Sequence, residues 1–219
     1  MVFGRLPEAG VTKTRLIPAL GTGGAAALYE AFLDDALAAT AGIADRELWV
    51  PGRPGAVRTL ASRYPTVRIR TQPEGDLGAR LSAAFETSFA GGIDYVVVLG
   101  SDHPTLPPDM VPRCFRALRG AHLAIGPTTD GGYYAIGLRR YCWPRARGLF
   151  LDAPWSSGDL LEWSRRRADE LDLCHVELPA WYDVDEPDDL RRLEVHVTPD
   201  SRTGRVLAEL WPAPEEERL

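Results

Sequence analysis

The stretch DYVVVLGSDHP, residues 94–104, decides the fold class of this chain. Its apolar run, Val96 to Leu99, is rich in β-branched residues and stops at Gly100. Such a run is typical of a strand buried on both faces of a parallel sheet. In open α/β sheets, ligands bind just beyond the carboxyl ends of the strands. The sequence therefore predicts a functional carboxylate at Asp102, suited to a divalent cation that carries phosphate oxygens.

The alternative is that Asp102 only caps the helix that follows. That helix is predicted to begin later, near Pro107 and Pro108, because proline favours the first turn of a helix. The capping interpretation is therefore the weaker one.

Composition excludes several classes of function. A chain of 219 residues suits one substantial domain, and a formal net charge of −6 predicts no nucleic-acid partner. The three cysteines lie far apart without a C-x-x-C spacing, which indicates free thiols. We find no leader peptide and no apolar run near the roughly 18 residues that span a bilayer. The sequence thus predicts a soluble, cytoplasmic protein with no membrane span.

Apolar periodicity predicts strands and helices that alternate along most of the chain. This pattern is typical of the α/β class, with a mainly parallel central sheet and helices on both faces. Predicted strands are 1–3, 47–50, 67–70, 96–99, 121–126, 135–138 and 173–178, and predicted helices are 23–41, 54–63, 77–89, 108–119, 158–171 and one from Pro187. We expect one domain over residues 1–197, then a C-terminal helix and solvated tail over residues 198–219.

A loop from Gly4 to Arg15 follows the first predicted strand, which is short. The loop carries three cationic side chains, Arg5, Lys13 and Arg15. A glycine-bearing loop with cations after a first strand is typical of a phosphate-binding loop, although its spacing is not that of the Walker motif. A solvated basic loop is the alternative interpretation.

A second candidate binding segment precedes the helix predicted over residues 77–89. Gly75 and Gly78 would let a ligand approach the backbone there. Arg80 falls in the first turn, where the helix dipole disfavours a cation, so we expect an anion nearby. The alternative is that Arg80 extends into solvent.

The sequence Asp130-Gly131-Gly132 separates two predicted strands. A structural hairpin turn would explain the aspartate and both glycines. Tyr133 and Tyr134 follow directly, and aromatic side chains at such a place could stack on a sugar or base. We therefore favour a functional role for this turn.

Asp183 and Asp185 alternate along a short extended segment, so both should face the same side. Together with Asp102 and Asp130 they place carboxylates opposite the cationic loop, an arrangement suited to a phosphate ligand and a metal ion. We predict catalytic roles for Asp102, Asp130 and Asp185. The four histidines share no pattern with a nucleophilic serine, so Ser/His/Asp chemistry is not expected.

Six motifs in this order resemble the bacterial family DUF2064, grouped with glycosyltransferases of the GT-A, nucleotide-diphospho-sugar transferase superfamily. They are G-x-x-KTRL at 10–16, GDLGAR at 75–80, GSDHPTL at 100–106, GPTTDGGYYAIGL at 126–138, WSS at 155–157 and DVDEPDDL at 183–190. The resemblance covers about residues 1–195 and implies a GT-A fold. Molybdenum cofactor guanylyltransferases and phospholactate guanylyltransferases are more distant relatives.

The resemblance also implies roles for individual residues. It implies phosphate contacts from Arg5, Lys13 and Arg15, and a nucleoside near Gln72, Gly78 and Arg80. It implies a divalent metal, Mg²⁺ or Mn²⁺, on Asp102, with Asp183 or Asp185 as a second ligand or as the group that positions the acceptor. Beside these implied roles, we predict that the acceptor side comprises Gly131, Gly132, Tyr133, Trp155 and Ser156.

The chain departs from the family pattern in two places. Its first strand is short at the amino end, where family members carry more apolar residues. Its metal loop reads Ser101-Asp102-His103 rather than the Asp-x-Asp of many glycosyltransferases, which is closer to the nucleotidyltransferase branch.

Three functions remain open from the sequence. The first is a metal-dependent transferase that uses a nucleotide-sugar donor to glycosylate a small acceptor. The second is a nucleotidylyltransferase that joins a nucleoside triphosphate to a phosphorylated acceptor and releases pyrophosphate. The third is a nucleotide-binding protein without turnover. The oligomeric state is not predicted.

Overall fold

The computed structural model describes residues 1–53, 55–155 and 157–211. Its strands are β1 (Val2–Phe3), β2 (Glu47–Pro51), β3 (Arg68–Gln72), β4 (Tyr95–Gly100), β5 (Leu123–Pro127), β6 (Tyr133–Arg139) and β7 (His175–Glu177). Its helices are α1 (Ile17–Ala38), α2 (Ala56–Arg63), α3 (Leu77–Ala90), α4 (Met110–Ala117), α5 (Trp143–Ala146), α6 (Leu160–Glu170), α7 (Pro187–His196) and α8 (Arg202–Leu210). The predicted helix start at Pro54, the predicted acceptor-side Ser156 and the predicted tail over 212–219 lie outside the described residues.

The strands form one seven-stranded sheet in the order β3-β2-β1-β4-β6-β5-β7. Strands β1, β2, β3 and β4 are mutually parallel where they pair, and β7 is parallel to β5. Strand β6 runs antiparallel to both of its neighbours, because the tight turn after β5 returns the chain beside it. The prediction of a mainly parallel α/β sheet is confirmed.

Helices cover both faces of the sheet, as the apolar run in β4 predicts. Val97 and Leu99 point into one core cluster with residues of α1 and α4. Val96 and Val98 point into the other cluster with Phe85 of α3. Because successive strand residues face opposite sides, a strand without polar residues must be covered on both.

Helix α1 begins earlier than the predicted residue 23. Its backbone leaves helical geometry at Gly21, with φ 70° and ψ 169°, so the element is two helical segments joined at a kink. Pro18 sits in the first turn, where its missing N–H costs nothing. Gly21, one of the glycines that obscure this helix in the sequence, is the residue that permits the kink.

By length and composition alone, the helical stretch Thr14–Ala38 could cross a membrane, which the sequence analysis did not anticipate. In this fold α1 lies between two apolar clusters. Leu33 and Leu37 face the sheet, while Leu28 and Phe32 face α7 and α8. Packing on two sides accounts for its apolar composition, and 44% of the apolar 18-residue window within that stretch is buried.

The C-terminal helix α8 packs on α1 through Leu207. Its first turn is capped twice. Asp35 of α1 accepts from the N–H groups of Arg202 at 3.0 Å and Thr203 at 2.8 Å, and Ser201 accepts from Gly204 N–H at 3.0 Å. These contacts tie residues 201–210 to the body that carries the sheet.

Other predicted elements are present with shifted ends. Asp76 caps α3, since its side chain accepts from Ala79 N–H. Asp189 closes a capping box with Glu186 at the start of α7. Helix α5, only one turn long, was not predicted. All three cysteines are unpaired, as expected.

Candidate functional site

A cavity of about 370 Å³ lies beyond the carboxyl ends of β1 and β4. It is lined by Arg5, Val11, Thr12, Lys13, Thr14, Arg15, Tyr29, Asp102 and Asp185. The structure therefore brings together the three cations of the N-terminal loop and two of the carboxylates singled out in the sequence. This is the edge of the sheet where α/β folds place their ligands.

Lys13 is the centre of this cavity wall. Its Nζ lies 2.5 Å from Asp102 Oδ1 and 2.5 Å from Asp185 Oδ1, and it donates to the Val184 carbonyl at 2.7 Å. Its side chain is only 5% exposed, whereas those of Asp102 and Asp185 are 41% and 44% exposed. The ammonium is thus enclosed, while both carboxylates open toward the cavity.

The charges of this cluster stabilise each other. Burial opposes the charged form of Lys13, but the carboxylates of Asp102 and Asp185 outweigh it and raise the pKa of the lysine. Burial likewise opposes ionised Asp102, but Lys13 holds the pKa of that carboxyl below its usual range. Lys13 and Asp102 are therefore both charged near neutral pH.

One signal in the sequence, the number of lysines, went unused in the predictions above. Lys13 is the only lysine among the 25 lysine and arginine residues of the chain. An ammonium is a compact point charge, whereas a guanidinium is a planar fork. The singular lysine was the available signal that this position differs from every other cationic position.

The N-terminal loop is shaped by its own hydrogen bonds. Thr12 Oγ1 donates to the Leu6 carbonyl at 2.5 Å and accepts from Glu8 N–H at 3.1 Å. Lys13 adopts the left-handed conformation, with φ 51° and ψ 47°, and a 3₁₀ turn starts at Thr14. The backbone N–H groups of Thr14 and Arg15 have no acceptor among the described residues. The loop thus presents donors to the cavity as well as cations.

The floor of the cavity is a hydrogen-bonded group around Tyr29. Its hydroxyl accepts from Arg5 N–H at 2.7 Å and is hydrogen-bonded to Ser101 Oγ at 2.7 Å. Burial and the nearby Asp102 charge raise the pKa of Tyr29 to about 12. This neutral hydroxyl fixes the loop after β1 against the loop after β4.

The segment that carries Asp185 is held to the loop after β4 by its backbone. Val184 N–H donates to the Asp102 carbonyl at 3.0 Å, and His103 Nδ1 donates to the Tyr182 carbonyl at 3.1 Å. These bonds set the spacing between the Asp102 and Asp185 carboxylates. His103 therefore holds these two segments together and does not line the cavity.

Asp183 does not line the cavity. It is partly buried, and burial together with the charges of Asp130 and Asp185 raises its pKa to about 6. Asp183 therefore lies near two other carboxylates, Asp130 and the cavity-lining Asp185, and it forms no ion pair among the described side chains. Asp130 itself accepts from the Thr128 hydroxyl and from Gly132 N–H, which shapes its turn.

The donor set expected for a divalent metal is engaged by Lys13. Carboxylate oxygens are the ligands that Mg²⁺ takes, but the facing oxygens of Asp102 and Asp185 are held by the ammonium. In the described parts of the chain, no three His, Cys, Asp or Glu side chains form a group that could hold a metal ion. The residues do not fit a metal ion while Lys13 lies between them.

The residues expected near a nucleoside lie outside the cavity lining. Gln72 is buried, and its amide donates to the Trp49 carbonyl at 2.9 Å, which joins the ends of neighbouring strands. Arg80 Nε donates to the Gly75 carbonyl at 3.0 Å. None of Gln72, Gly78 and Arg80 lines the cavity. Their role near a nucleoside stays a prediction.

Gly78 serves close packing in this structure. A Cβ at this position would lie 2.5 Å from the Phe150 carbonyl oxygen and 2.7 Å from Trp155 Nε1. The space beside Gly78, where a ligand was predicted to approach the backbone, is filled by these two residues. Trp155 Nε1 is buried there without a hydrogen-bond partner in the described structure.

The predicted acceptor side is assembled as one packed group. Tyr133 and Trp155 meet edge to face with ring centroids 6.4 Å apart. Gly131, at φ 91°, packs so tightly on Gly158 that a Cβ would lie 2.0 Å from its carbonyl oxygen. Gly132 accommodates Thr128 and Asp130 beside it. The glycines of the turn are thus explained by packing, and contact with an acceptor stays a prediction.

Comparison with known proteins identifies the family. The sequence model of DUF2064, "Uncharacterized protein conserved in bacteria", matches residues 34–157. No curated protein matches the chain significantly.

Solved structures share the fold. A candidate nucleotide-diphospho-sugar transferase from Desulfovibrio desulfuricans G20 is 31% identical, with a TM-score of 0.87 over 95% of this chain and 92% of the other. CMP:2-keto-3-deoxy-manno-octonic acid synthetase, solved with CTP, is 14% identical, with a TM-score of 0.54 over 88% and 94%. Molybdopterin-guanine dinucleotide biosynthesis protein A from Archaeoglobus fulgidus is 17% identical, with a TM-score of 0.52 over 89% and 96%. The latter two likenesses are evidence of the fold alone.

Proposed function

Since this chain belongs to the DUF2064 family, we propose that it is a transferase that takes a nucleotide sugar as donor and glycosylates a small acceptor. The observation that carries the proposal is the cavity beyond β1 and β4, where Arg5 and Arg15 face Asp102 and Asp185. The 31% identical relative is described as a candidate transferase of nucleotide-diphospho sugars, which supports this choice of donor.

Arg5 and Arg15 are the proposed phosphate ligands. Arg5 has no ion-pair partner among the described residues, and Arg15 pairs only with the exposed Glu186 at 3.3 Å. Both guanidinium groups can therefore donate hydrogen bonds to a diphosphate without breaking a buried ion pair. Cations there would stabilise the charge of a departing nucleoside diphosphate. The backbone N–H groups of Thr14 and Arg15 add donors on the same wall.

The carboxylates are proposed to act on the acceptor side of the phosphates. Asp102 and Asp185 face the cavity, and Asp130 and Asp183 lie beside it. A divalent cation, Mg²⁺ or Mn²⁺, stays in the proposal only as an ion carried by the substrate phosphates, because Lys13 engages the facing oxygens of Asp102 and Asp185 and Mg²⁺ is commonly held largely by such phosphates. When bound, it would supply charge for the leaving phosphates.

Nucleotidylyl transfer is the second candidate. The loop after β4 offers a single aspartate, and its carboxylate is neutralised by Lys13 rather than paired with a second aspartate as in Asp-x-Asp. Three cations on one loop would also suit the pyrophosphate that such a reaction releases. The synthetase that shares the fold was solved with CTP, a nucleoside triphosphate.

A ligand screen tests the proposal. Nucleoside diphosphates, triphosphates and nucleotide sugars are added with and without Mg²⁺ or Mn²⁺, and the melting temperature is recorded. A ligand at 100 times its Kd adds about 2.7 kcal/mol, a shift of roughly 5–11 °C for a domain of this size. A nucleoside diphosphate and its sugar should give the shift, and triphosphates alone would favour nucleotidylyl transfer.

The Arg5→Ala variant locates the bound ligand. We expect it to weaken nucleotide binding about tenfold, because a hydrogen bond to a charged phosphate contributes about 1.5–3 kcal/mol. Arg58→Ala is the matched control, since Arg58 is exposed on α2 away from the cavity. Equal loss in both variants, or no response to any nucleotide, would contradict the proposed function.

A further inference from the structure

A second cavity, of about 480 Å³, lies at the opposite end of the sheet from the candidate site. It is lined by Asp94, Tyr95, Arg139, Arg140 and Tyr141. Tyr95 begins β4, whereas the candidate site lies beyond the carboxyl end of the same strand. At about 3.3 Å per strand residue, the run from Tyr95 to Asp102 separates the two cavities by on the order of 20 Å. Among the described residues, none lines both cavities.

Arg139 has no partner for its charge in this second cavity. It is half-buried at the end of β6, and its guanidinium forms no ion pair and no hydrogen bond within residues 1–53, 55–155 and 157–211. The neighbouring Arg140, by contrast, contacts Asp94 Oδ1 through Nε at 2.9 Å and through Nη2 at 2.7 Å. Arg140 and Asp94 neutralise each other, so Arg139 gives the lining its net positive charge.

Two tyrosine rings hold the Arg139 side chain. Its Cζ lies 5.5 Å from the ring centroid of Tyr95 and 4.6 Å from that of Tyr141. Tyr95 is the cross-strand partner of Arg139 in the pairing of β4 with β6, and His122 meets the Tyr141 ring edge to face at 5.4 Å. A guanidinium packs favourably on aromatic rings, because the ring quadrupole attracts the cation. The rings therefore fix the guanidinium without using its N–H donors.

The donors around this cavity suit an oxyanion. The planar fork of an arginine matches two oxygens of a carboxylate or a phosphate. Tyr95 and Tyr141 are 38% and 58% exposed, and neither hydroxyl is hydrogen-bonded within the part of the chain that the structure describes. These hydroxyls add donors beside the guanidinium. A phosphate has more acceptor oxygens than a carboxylate, so this donor set favours a phosphate.

We propose that this second cavity binds the phosphate group of a small ligand, with Arg139 as the principal contact. Arg139 donates two parallel hydrogen bonds to phosphate oxygens, and the hydroxyls of Tyr95 and Tyr141 supply further donors. The proposal goes beyond the proposed function and does not depend on it, because it uses no residue that lines the candidate site.

A titration with two simple anions tests the second cavity. Inorganic phosphate and acetate are added separately to the full chain at constant ionic strength, and backbone amide shifts are recorded by NMR. Phosphate should shift the amides of Tyr95 and of residues 139–141, and acetate should bind there at least about tenfold more weakly, because it has fewer acceptor oxygens. No shift of these amides at tens of millimolar phosphate would overturn the proposal. Equal affinity for acetate would overturn the assignment to phosphate.

Arg139→Gln tests the principal contact. It keeps a polar side chain but removes the charge and the fork, so phosphate affinity at the second cavity should fall at least about tenfold. Arg58→Gln is the matched control, because Arg58 is an exposed arginine of α2 that lines neither cavity. An affinity that survives Arg139→Gln, or that falls equally in Arg58→Gln, would overturn the proposal.

The same spectra separate this proposal from the proposed function. The amides of Thr14 and Arg15 report on the candidate site, and those of Tyr95 and residues 139–141 report on the second cavity. Shifts of the first set without the second would remove the second site and leave the proposed function standing. Shifts of the second set that Arg139→Gln abolishes would support the second site, whatever the candidate site binds.

Discussion

At the scale of single residues, the site is explained by which charges face one another. Lys13 and Asp185 lie 172 positions apart in the sequence, and the spacing of either residue gives no sign of the other. Sequence analysis could select both as functional because each follows a strand. It could not find that they bind each other, since that depends on how the segment after β7 lies across β4.

The raised pKa of Asp183 gives a testable pH dependence. Its folded value of about 6 exceeds the unfolded value of about 3.9, so ionisation is penalised in the folded state. The penalty is present above about pH 6 and fades as pH falls toward 4. Asp183→Asn should therefore stabilise the protein by roughly 1–2 kcal/mol at pH 7.5 in EDTA, and by much less at pH 4.5.

Urea unfolding at the two pH values measures this difference. Asp45→Asn serves as a control, because Asp45 is exposed. A gain for Asp183→Asn that is the same at pH 4.5 and pH 7.5 would show that the carboxylate is not the cause.

Gly78 offers a prediction about packing. An added methyl group would meet the Phe150 carbonyl and the Trp155 indole, so Gly78→Ala should destabilise the fold by about 1–3 kcal/mol. Gly23→Ala in α1 meets open space and should stabilise by up to about 1 kcal/mol, because alanine is the better helix former. Thermal unfolding compares the two. Equal effects would mean that Trp155 does not pack on Gly78 in solution.

At the scale of elements, periodicity identified the helices and strands that have one or two apolar faces. Strand β4 and helix α3 are where the pattern placed them, because burial dictates their residues. The first turns of α1 were not predicted. Pro18 and the glycines at 21, 23 and 24 indicate an interrupted helix when only the local sequence is considered. Tertiary packing against α7 and α8 overrides that local preference.

The capping of α8 by Asp35 gives a prediction for one element. Asp35→Ala leaves the N–H groups of Arg202 and Thr203 without their acceptor, which should cost about 1 kcal/mol. Hydrogen exchange should rise in α8 before it rises in the sheet. Glu209→Ala, on the exposed side of the same helix, should leave the exchange unchanged. Uniform acceleration over the whole protein would contradict this local effect.

At the scale of the whole molecule, six short motifs were enough to predict the family and the GT-A type fold. Each motif marks a turn or the end of an element that the fold needs. The motifs do not report which of their residues are structural. Gly131 and Gly78 belong to them, yet packing accounts for both. Conversely, the cavity gathers Lys13 and Asp185 from motifs at opposite ends of the chain, together with Arg5, which lies in none of the six motifs.

The central claim is that the cavity beyond β1 and β4 binds the phosphates of a nucleotide. The most direct test is an NMR titration of backbone amides with inorganic pyrophosphate, which needs no knowledge of the base or sugar. We predict that the amides of Thr14 and Arg15 and of the loop around Asp102 shift first and together. Shifts confined to another part of the molecule, or none at millimolar pyrophosphate, would contradict the account.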